Sequence, residues 1–453
     1  MTASTLLPLV RVVVINFDGG QVTCECLDSL LATKYPADRL EIVVVDNASV
    51  DGLLWTLPQQ YPTVRLIVSD VNEGFARGCN LAMTDLESVD YVALINNDAR
   101  VDCNWLRPLI EAFDTPGIGG APIGAVSPKL LLDTKVQFVS VQCDTTYTID
   151  DGRSVGIEVR SLTVNEQTPE NLRYNEGFWA DQRAYQHDVG LRRSKQSAAA
   201  WWPVSAGSDD TVEMRISSAQ PTNVTIRCGT STQVVWVDTQ IQTIRFNTGH
   251  ETWDVINSAG GGLYDSWAGG DIGFMEPDVG QFDQSVEMFS WCGGAVLLSA
   301  KYLRQVGIFD PTYFLYYEDF DLSWRGRWQG WTYRFEPQST VVHRHAYSSK
   351  EGSDFFQFWV DRNRRLTLVK NAPFRPAFRA IVGSIVALFS DLLRHTIAQA
   401  RRLHPPSPRW LKKRFGQTGS LLRALPHAVA ERRRIQHGHG STNPDLQRWM
   451  LSK

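Results

Sequence analysis

Asp98 closes the apolar run Tyr91-Val-Ala-Leu-Ile-Asn-Asn-Asp98, and far downstream Glu318, Asp319 and Asp321 crowd into Tyr316-Tyr-Glu-Asp-Phe-Asp-Leu-Ser-Trp-Arg325. A carboxylate at the carboxyl end of a strand can hold a divalent cation and a diphosphate together. Mg2+ or Mn2+ takes few protein oxygens and fills its remaining positions with phosphate oxygens and water. There it would neutralise a departing diphosphate as a Lewis acid. One acid of the later trio, held beside a hydroxyl, can take its proton as a general base. A plainer reading also fits each stretch: Asn-Asn-Asp is common in turns, and acids at a helix N-terminus are favoured by its dipole. A third run, Val341-Val-His343-Arg-His345, ends in an imidazole that can complete a cation's shell, although a lone histidine is commonly structural.

Two more stretches carry binding chemistry. Asp46 ends an apolar run and opens Asp46-Asn-Ala-Ser-Val-Asp-Gly52, where a carboxylate can accept the N3–H of a pyrimidine or simply cap a helix. In Val71-Asn-Glu-Gly-Phe-Ala-Arg-Gly-Cys-Asn80, Gly74 permits close backbone approach and Arg77 can meet a phosphate, unless the segment is only a Gly-containing loop. Neither a P-loop nor Gly-x-Gly-x-x-Gly is present, which removes support from nucleotide triphosphatase and dinucleotide readings.

The elements that must position these residues alternate. Strand-like runs at 10–16, 40–46, 64–68 and 91–96 are separated by helix-like segments, the pattern of βαβ units on a mostly parallel, Rossmann-like sheet. Ligands of such sheets sit at the carboxyl ends of the strands, where Asn16, Asp18, Asp46 and Asp98 fall. From about 136 to 252 the texture changes to short alternating runs broken by Gly, Ser, Asn, Asp and Pro, which predicts an inserted antiparallel β-sandwich. The α/β pattern returns from 253 to 373. The expected division is therefore 1–135, 136–252, 253–373 and a basic, amphipathic helical tail over 374–453.

The tail stands out by charge. Between Arg394 and Arg434 eleven Lys/Arg face one acid, Glu431, in a chain whose formal charge is −4. That asymmetry predicts an anionic partner surface, and lipid headgroups are preferred to nucleic acid because no nucleic-acid module accompanies the charge. The apolar run from Ala380 to Ser390 is shorter than the roughly 20 residues that span a bilayer, so it is expected to lie on a membrane surface. The seven scattered cysteines include no Cys-x-x-Cys and read as reduced thiols of a cytoplasmic protein. The N-terminus lacks the pattern of a secretory signal.

In order and spacing, Val13-Val-Ile-Asn-Phe-Asp18, Val44-Val-Asp-Asn-Ala-Ser49, Asn72 to Asn80, Asn96-Asn-Asp98, Trp291-Cys-Gly-Gly-Ala295, Val306-Gly-Ile-Phe-Asp310, Tyr316 to Leu322 and His343 resemble the family 2 glycosyltransferases of the GT-A fold, in the bacterial rhamnosyltransferase-like branch. The resemblance covers about residues 9–135 and 253–372. It implies an inverting transfer from a nucleotide diphosphate sugar, rhamnose from dTDP being its commonest donor, to a cell-envelope glycan or lipid-linked acceptor. It also implies Asp319 as base with Glu318 beside the acceptor or donor sugar, and Asp98 with His343 at Mg2+ or Mn2+. Asn16, Asp18, Asp46, Asn47, Gly74, Arg77 and Asn97 would bind the donor, and Trp291, Gly293 and Gly294 the acceptor. Asn96 stands where the fuller Asp-x-Asp form has an acid. Nothing in that family core calls for the insert, whose Trp179, Trp201, Trp202 and Trp236 are either a sugar platform or core. Two other readings stay open: a non-catalytic glycan-binding protein, and a sugar nucleotidyltransferase, which lacks its Gly-rich triphosphate loop here.

Overall fold

The computed structural model describes residues 7–174, 177–179, 191–204, 209–344, 353–401, 408–437 and 445–451. His345 lies outside them. The chain divides into two compact units: Met1–Leu131 with Ser258–Ile272 and Asp283–Lys453, and Leu132–Asn257 with Gly273–Phe282.

In the first unit, β-branched runs buried on both faces form the parallel strands β1 (Val10–Asn16), β2 (Leu40–Asn47), β3 (Arg65–Ser69) and β4 (Tyr91–Ile95). Their order is β3-β2-β1-β4, and Ala295–Ser299 continues the sheet antiparallel to β4. The register sets Asn16 beside Asp46, so their polar side chains leave the sheet at one edge. Helices α1 (Gly20–Leu31), α2 (Leu53–Gln60) and α3 (Gly74–Ala82) connect these strands. The inward face of α1, Cys26, Leu27 and Leu30, joins Val12, Val14 and Val44 in one core. Beyond β4 come the short β5 (Ala99–Val101) and α4 (Leu106–Glu111). The strand Thr332–His343 runs antiparallel to β5 and sets His343 opposite Ala99.

The C-terminal half of this unit is helical: α5 (Ala300–Val306), α6 (Glu318–Trp328), α7 (Asp354–Asn371), α8 (Phe374–Arg401) and α9 (Pro408–His437). Within 374–453, where a basic amphipathic helical tail is expected, the described residues are largely helix. In α9 Leu421, Ala424, Ala428 and Ile435 are buried, and Arg432 donates to the carbonyls of Val369 and Ala372 at the end of α7, where a cation suits the helix dipole. The apolar stretch of α8 is longer than the 380–390 run: Phe374–Arg394 has mean hydropathy 1.6 and is 12% buried, enough by length and composition to cross a membrane.

The second unit is antiparallel. Glu158–Val164, Thr211–Ser217 and Gln242–Asn247 form one sheet with Arg192–Arg193. In a further set, Thr222–Cys228 lies beside Ser231–Val237 and beside residues 139–143 of the long strand Ile123–Cys143. Inward residues of both sets, among them Val139, Val159, Met214, Val224 and Ile226, share one apolar cluster. This unit starts at Leu132 and takes in Gly273–Phe282, beyond the 136–252 stretch that texture marks. Trp201 and Trp202 are core residues, whereas Trp236 is 56% exposed. The ring of Trp179 lies under the cations of Arg153 and Lys195.

Candidate active site

Asn16 organises the carboxyl edge of the parallel sheet. Its amide nitrogen donates to Asp46 Oδ1 and to Ser49 Oγ, each at 2.9 Å. Its Oδ1 accepts from Thr23 at 2.7 Å and from Asn97 Nδ2 at 3.5 Å. Asp46 is buried and also accepts the Ser49 backbone N–H at 3.1 Å, so it pins the turn after β2; α2 begins only at Leu53. Asp18, in the left-handed region at φ 51°, accepts from Val50 N at 2.7 Å and locks two loops together. Asn47 holds the start of α3, accepting from Glu73 N and donating to Gly74 O. Gly74 has φ 73°, and a Cβ there would lie 2.2 Å from Phe314 O, so no side chain fits. Arg77 is exposed; it donates to Pro311 O at 3.0 Å and pairs with Glu73.

Asn96, Asp98 and His343 come together although the histidine is far away in sequence. His343 Nε2 lies 2.9 Å from Asp98 Oδ1 and 3.2 Å from Asn96 Nδ2. One ring nitrogen cannot donate to the carboxylate and accept from the amide at once. A carboxylate oxygen and an imidazole nitrogen this close suit a shared divalent cation, and both are largely buried. Among the described residues no cluster of three or more His, Cys, Asp and Glu forms a metal site. A cation at Asp98 and His343 would therefore draw its other ligands from substrate and water, which suits Mg2+ or Mn2+ on a diphosphate.

The loop Trp291–Gly294 joins this group to the acidic helix. Gly294 O accepts from Asn96 N at 3.0 Å, and Gly293 N donates to Asp319 Oδ2 at 2.9 Å. A Cβ on Gly293 would stand 3.3 Å from that oxygen, and one on Gly294 3.0 Å from Leu130 Cδ2. Trp291, expected to line an acceptor pocket, is instead 1% exposed and packs against Phe309. Its indole belongs to the core, and the backbone of the two glycines is what this loop offers the site.

Glu318 and Asp319 open α6 after two successive residues in the left-handed region, Tyr316 at φ 68° and Tyr317 at φ 69°. Such a pair costs of order 1–3 kcal/mol per residue. It is held from two sides: Asn363 Nδ2 donates to the carbonyls of Leu315 and Tyr316, both at 2.8 Å, and Phe75 N donates to Phe314 O at 2.7 Å. Burial, assisted by the Asp271 carboxylate and opposed by the Gly293 N–H, pushes Asp319 up to about 6. Burial and then the neighbouring Asp319 push Glu318 well above the usual carboxylate range. Its Oε2 is buried without a hydrogen-bond partner. Near neutrality Asp319 is thus a carboxylate with enhanced basicity beside a carboxyl group that burial makes reluctant to ionise. Sequence reasoning missed Asp271 and Asn363, because nothing local to them signals where the chain brings them, and gave Cys292 no role although it sits within the Trp291-Cys-Gly-Gly-Ala295 motif.

Residues 11–129 match the family described as glycosyl transferase family 2. Among curated proteins, Glycosyltransferase AglE of Haloferax volcanii is 23% identical over 118 residues, 25% of this chain and 38% of that protein. Similar solved structures include GalNAc-T7 with UDP, GalNAc and Mn2+ (12% identity, TM-score 0.46, covering 96% of this chain and 58% of that one). The mannosyltransferase PcManGT of Pyrobaculum calidifontis with GDP-Man and Mn2+ is a second (15% identity, TM-score 0.37, 93% and 88%), and S. aureus TarS 1-349 a third (12%, 0.36, 97% and 89%). The chain spans well under two thirds of the AglE and GalNAc-T7 lengths. The segment match and the AglE relative support a glycosyltransferase.

Proposed function

We propose that this chain is an inverting glycosyltransferase of GT-A type. It moves a sugar from a nucleotide diphosphate to a hydroxyl of a cell-envelope glycan or lipid-linked acceptor, with dTDP-rhamnose the first donor to try. The observation that carries this reading is one run of contacts, from Asp46 through Asn16 to Asn97, along the chain to Asp98, and from Asn96 through Gly294 and Gly293 to Asp319. A nucleoside, a diphosphate and a reacting hydroxyl are arranged in that order in such a donor and acceptor. Asp46 and Asn47 would hold the nucleoside, and Arg77 would face the donor's phosphates. Asp98 and His343 would hold Mg2+ or Mn2+, which when bound supplies charge neutralisation for the departing diphosphate. Asp319 takes the acceptor's proton, and Glu318 donates a hydrogen bond to a sugar oxygen. A single displacement by the hydroxyl inverts the sugar carbon and needs no covalent intermediate.

The test is a panel of UDP-, dTDP- and GDP-sugars with Mg2+ or Mn2+, reading nucleoside diphosphate release with and without a lipid-linked acceptor extract. Release from one donor that falls by about a thousandfold in Asp98→Ala supports the reading, several kcal/mol being the usual scale of metal assistance. Glycan binding without release from any donor would favour the non-catalytic alternative.

A separate observation bears on location. Phe378, Val382, Ile385, Phe389 and Leu393 of α8 are exposed along one side, with the exposed Arg379 and Arg394 near the two ends of this stretch. An apolar face edged by cations fits a peripheral protein on the anionic cytoplasmic leaflet. Failure to cosediment with anionic vesicles at low salt would overturn this. In the second unit, which we read as a β-sandwich, Trp236 is the exposed ring open to stacking on an acceptor glycan; an unchanged acceptor KM in Trp236→Ala would remove that role.

A further inference from the structure

Asp271 belongs to none of the motifs that mark the site, yet its surroundings place it there. It ends the strand Gly269–Asp271, which runs antiparallel to Gly261–Tyr264 and pairs Asp271 with Gly261. Gly261 in turn bridges to Ser290, at the head of the loop that carries Cys292 and Gly293. The other end of the strand lies on α6. A Cβ on Gly269 would meet the Phe320 ring at 2.5 Å, and the Tyr317 hydroxyl donates to Gly269 O at 3.3 Å. The strand is therefore fixed against the two residues that flank Glu318 and Asp319.

Two carboxylates then grip consecutive residues of one loop. The Cys292 thiol hydrogen-bonds to the Asp271 carboxylate, while the next residue, Gly293, gives its N–H to Asp319. The Asp271 charge also acts on Asp319 directly. The other groups facing this pair are Glu318, Tyr317 and Cys292. Asp321 acts on Glu318 from the same helix, Cys79 of α3 faces Glu318, and Arg364 of α7 faces Tyr317. Of these, Asp271 is the charged neighbour that works against ionisation of Asp319 from outside α6.

We propose that Asp271 is a positioning residue for the transfer: from the strand fixed beside Ser290 and α6 it holds the Cys292–Gly293 loop that orients Asp319, the group that takes the acceptor's proton. This inference rests on Asp319 being the base. Balance is simple, because the proton leaves the acceptor oxygen for Asp319 while Asp271 forms no bond to substrate.

The experiment compares wild type, Asp271→Asn and Asp271→Glu with the donor found in the sugar-nucleotide panel, recording kcat/KM from pH 4.5 to 8.5. In Asp271→Asn the acid limb should move to lower pH by several tenths of a unit or more and the plateau should fall, whereas Asp271→Glu should restore both. An acid limb that stays in place in Asp271→Asn overturns the proposal, even if the rate falls. A readout without turnover is the alkylation of Cys292 by iodoacetamide, followed by peptide mapping. Burial and the Asp271 charge hold this thiol well above its ordinary value, so Asp271→Asn should react several-fold faster at pH 8.5. Equal reactivity would overturn the contact where all variants are inactive. Failure of the underlying reading looks different: Asp319→Asn would then transfer at the wild-type rate whatever Asp271 does.

Discussion

Asp319 and Asp321 are two residues apart on α6, and the protein treats them in opposite ways. Asp321 is fully buried and surrounded by donors: Lys370 Nζ at 2.8 Å, Arg325 Nε at 3.0 Å, Asn371 Nδ2 at 2.9 Å and the Tyr313 hydroxyl at 3.3 Å. Lys370, itself 0% exposed, also reaches Asp310 at 2.5 Å. Burial disfavours the charge on Asp310, but Lys370 outweighs it and holds that carboxyl well below its usual range. Asp319 by contrast receives backbone N–H groups, from Gly293 and Phe320, and has a like-charged neighbour in Asp271 with the buried Glu318 carboxyl beside it. A buried carboxylate matched by cations and amide donors on several sides serves to fasten its helix. One that faces other acids is poised to bind a proton, and that separates the fastening of this helix from its chemistry.

The strongest way to break the comparison is Asp319→Asn. Transfer should fall by about 10²–10⁴-fold, the scale of general-base catalysis, while donor binding measured by calorimetry is retained. The stability of the same variant tests the proposed strain. A carboxyl raised to about 6 contributes stability that is fully present below its ordinary value near 4 and is lost as pH rises through 6. Wild type should therefore lose stability between about pH 4 and pH 6 relative to Asp319→Asn, with no further loss above that, leaving the variant ahead by roughly 2–3 kcal/mol at pH 8 and level near pH 4. Urea titrations at the two pH values measure this, and an Asn variant less stable than wild type at pH 8 would show that the carboxylate is structural.

Lys370→Ala attacks the other side. Removing the cation leaves Asp310 and Asp321 buried with a reduced set of donors, and breaking such a pair costs about 3–5 kcal/mol. Arg325 and Asn371 remain, so the lower half of that range is expected. The loss should appear in the urea midpoint, and any folded fraction should keep the acid limb of its pH–rate profile near 6, because Lys370 does not contact Asp319. A shifted limb would mean that the two carboxylates are not separate systems.

What the sequence made legible follows the same division. The parallel strands were readable because a run such as Val10 to Ile15 is apolar at nearly every position, and β-branched residues buried on both faces leave few alternatives. The alternating Val224, Ile226 and Cys228 revealed an antiparallel strand for the complementary reason. Asp98 and Asp319 could be singled out because each ends or begins an element. Asp271 could not, since a Gly-Gly-Asp stretch signals only a turn and its meaning arises from a fold partner in another part of the chain. Trp291 shows the converse: an aromatic beside two glycines suggests a binding surface, and only packing reveals that the ring points inward. In the tail, the spacing of Leu421, Ala424, Ala428 and Ile435, which buries one side of α9, sits among basic residues and does not itself name the element it packs against.

The smallest effect should come from the last member of the buried network. His427 of α9 approaches Asp310 Oδ2 at 3.0 Å, but its side chain is 41% exposed and Lys370 already neutralises the same oxygen. A partly solvated contact to a charge that has a partner contributes about 0–1 kcal/mol, so His427→Gln should lower the urea-derived stability by less than 1 kcal/mol and leave transfer unchanged. A cost near that of Lys370→Ala would mean that α9 closes the network rather than resting on its rim. In that case the basic tail would be part of what holds α6 in place, and the distinction between fastening and chemistry would extend from one helix to the end of the chain.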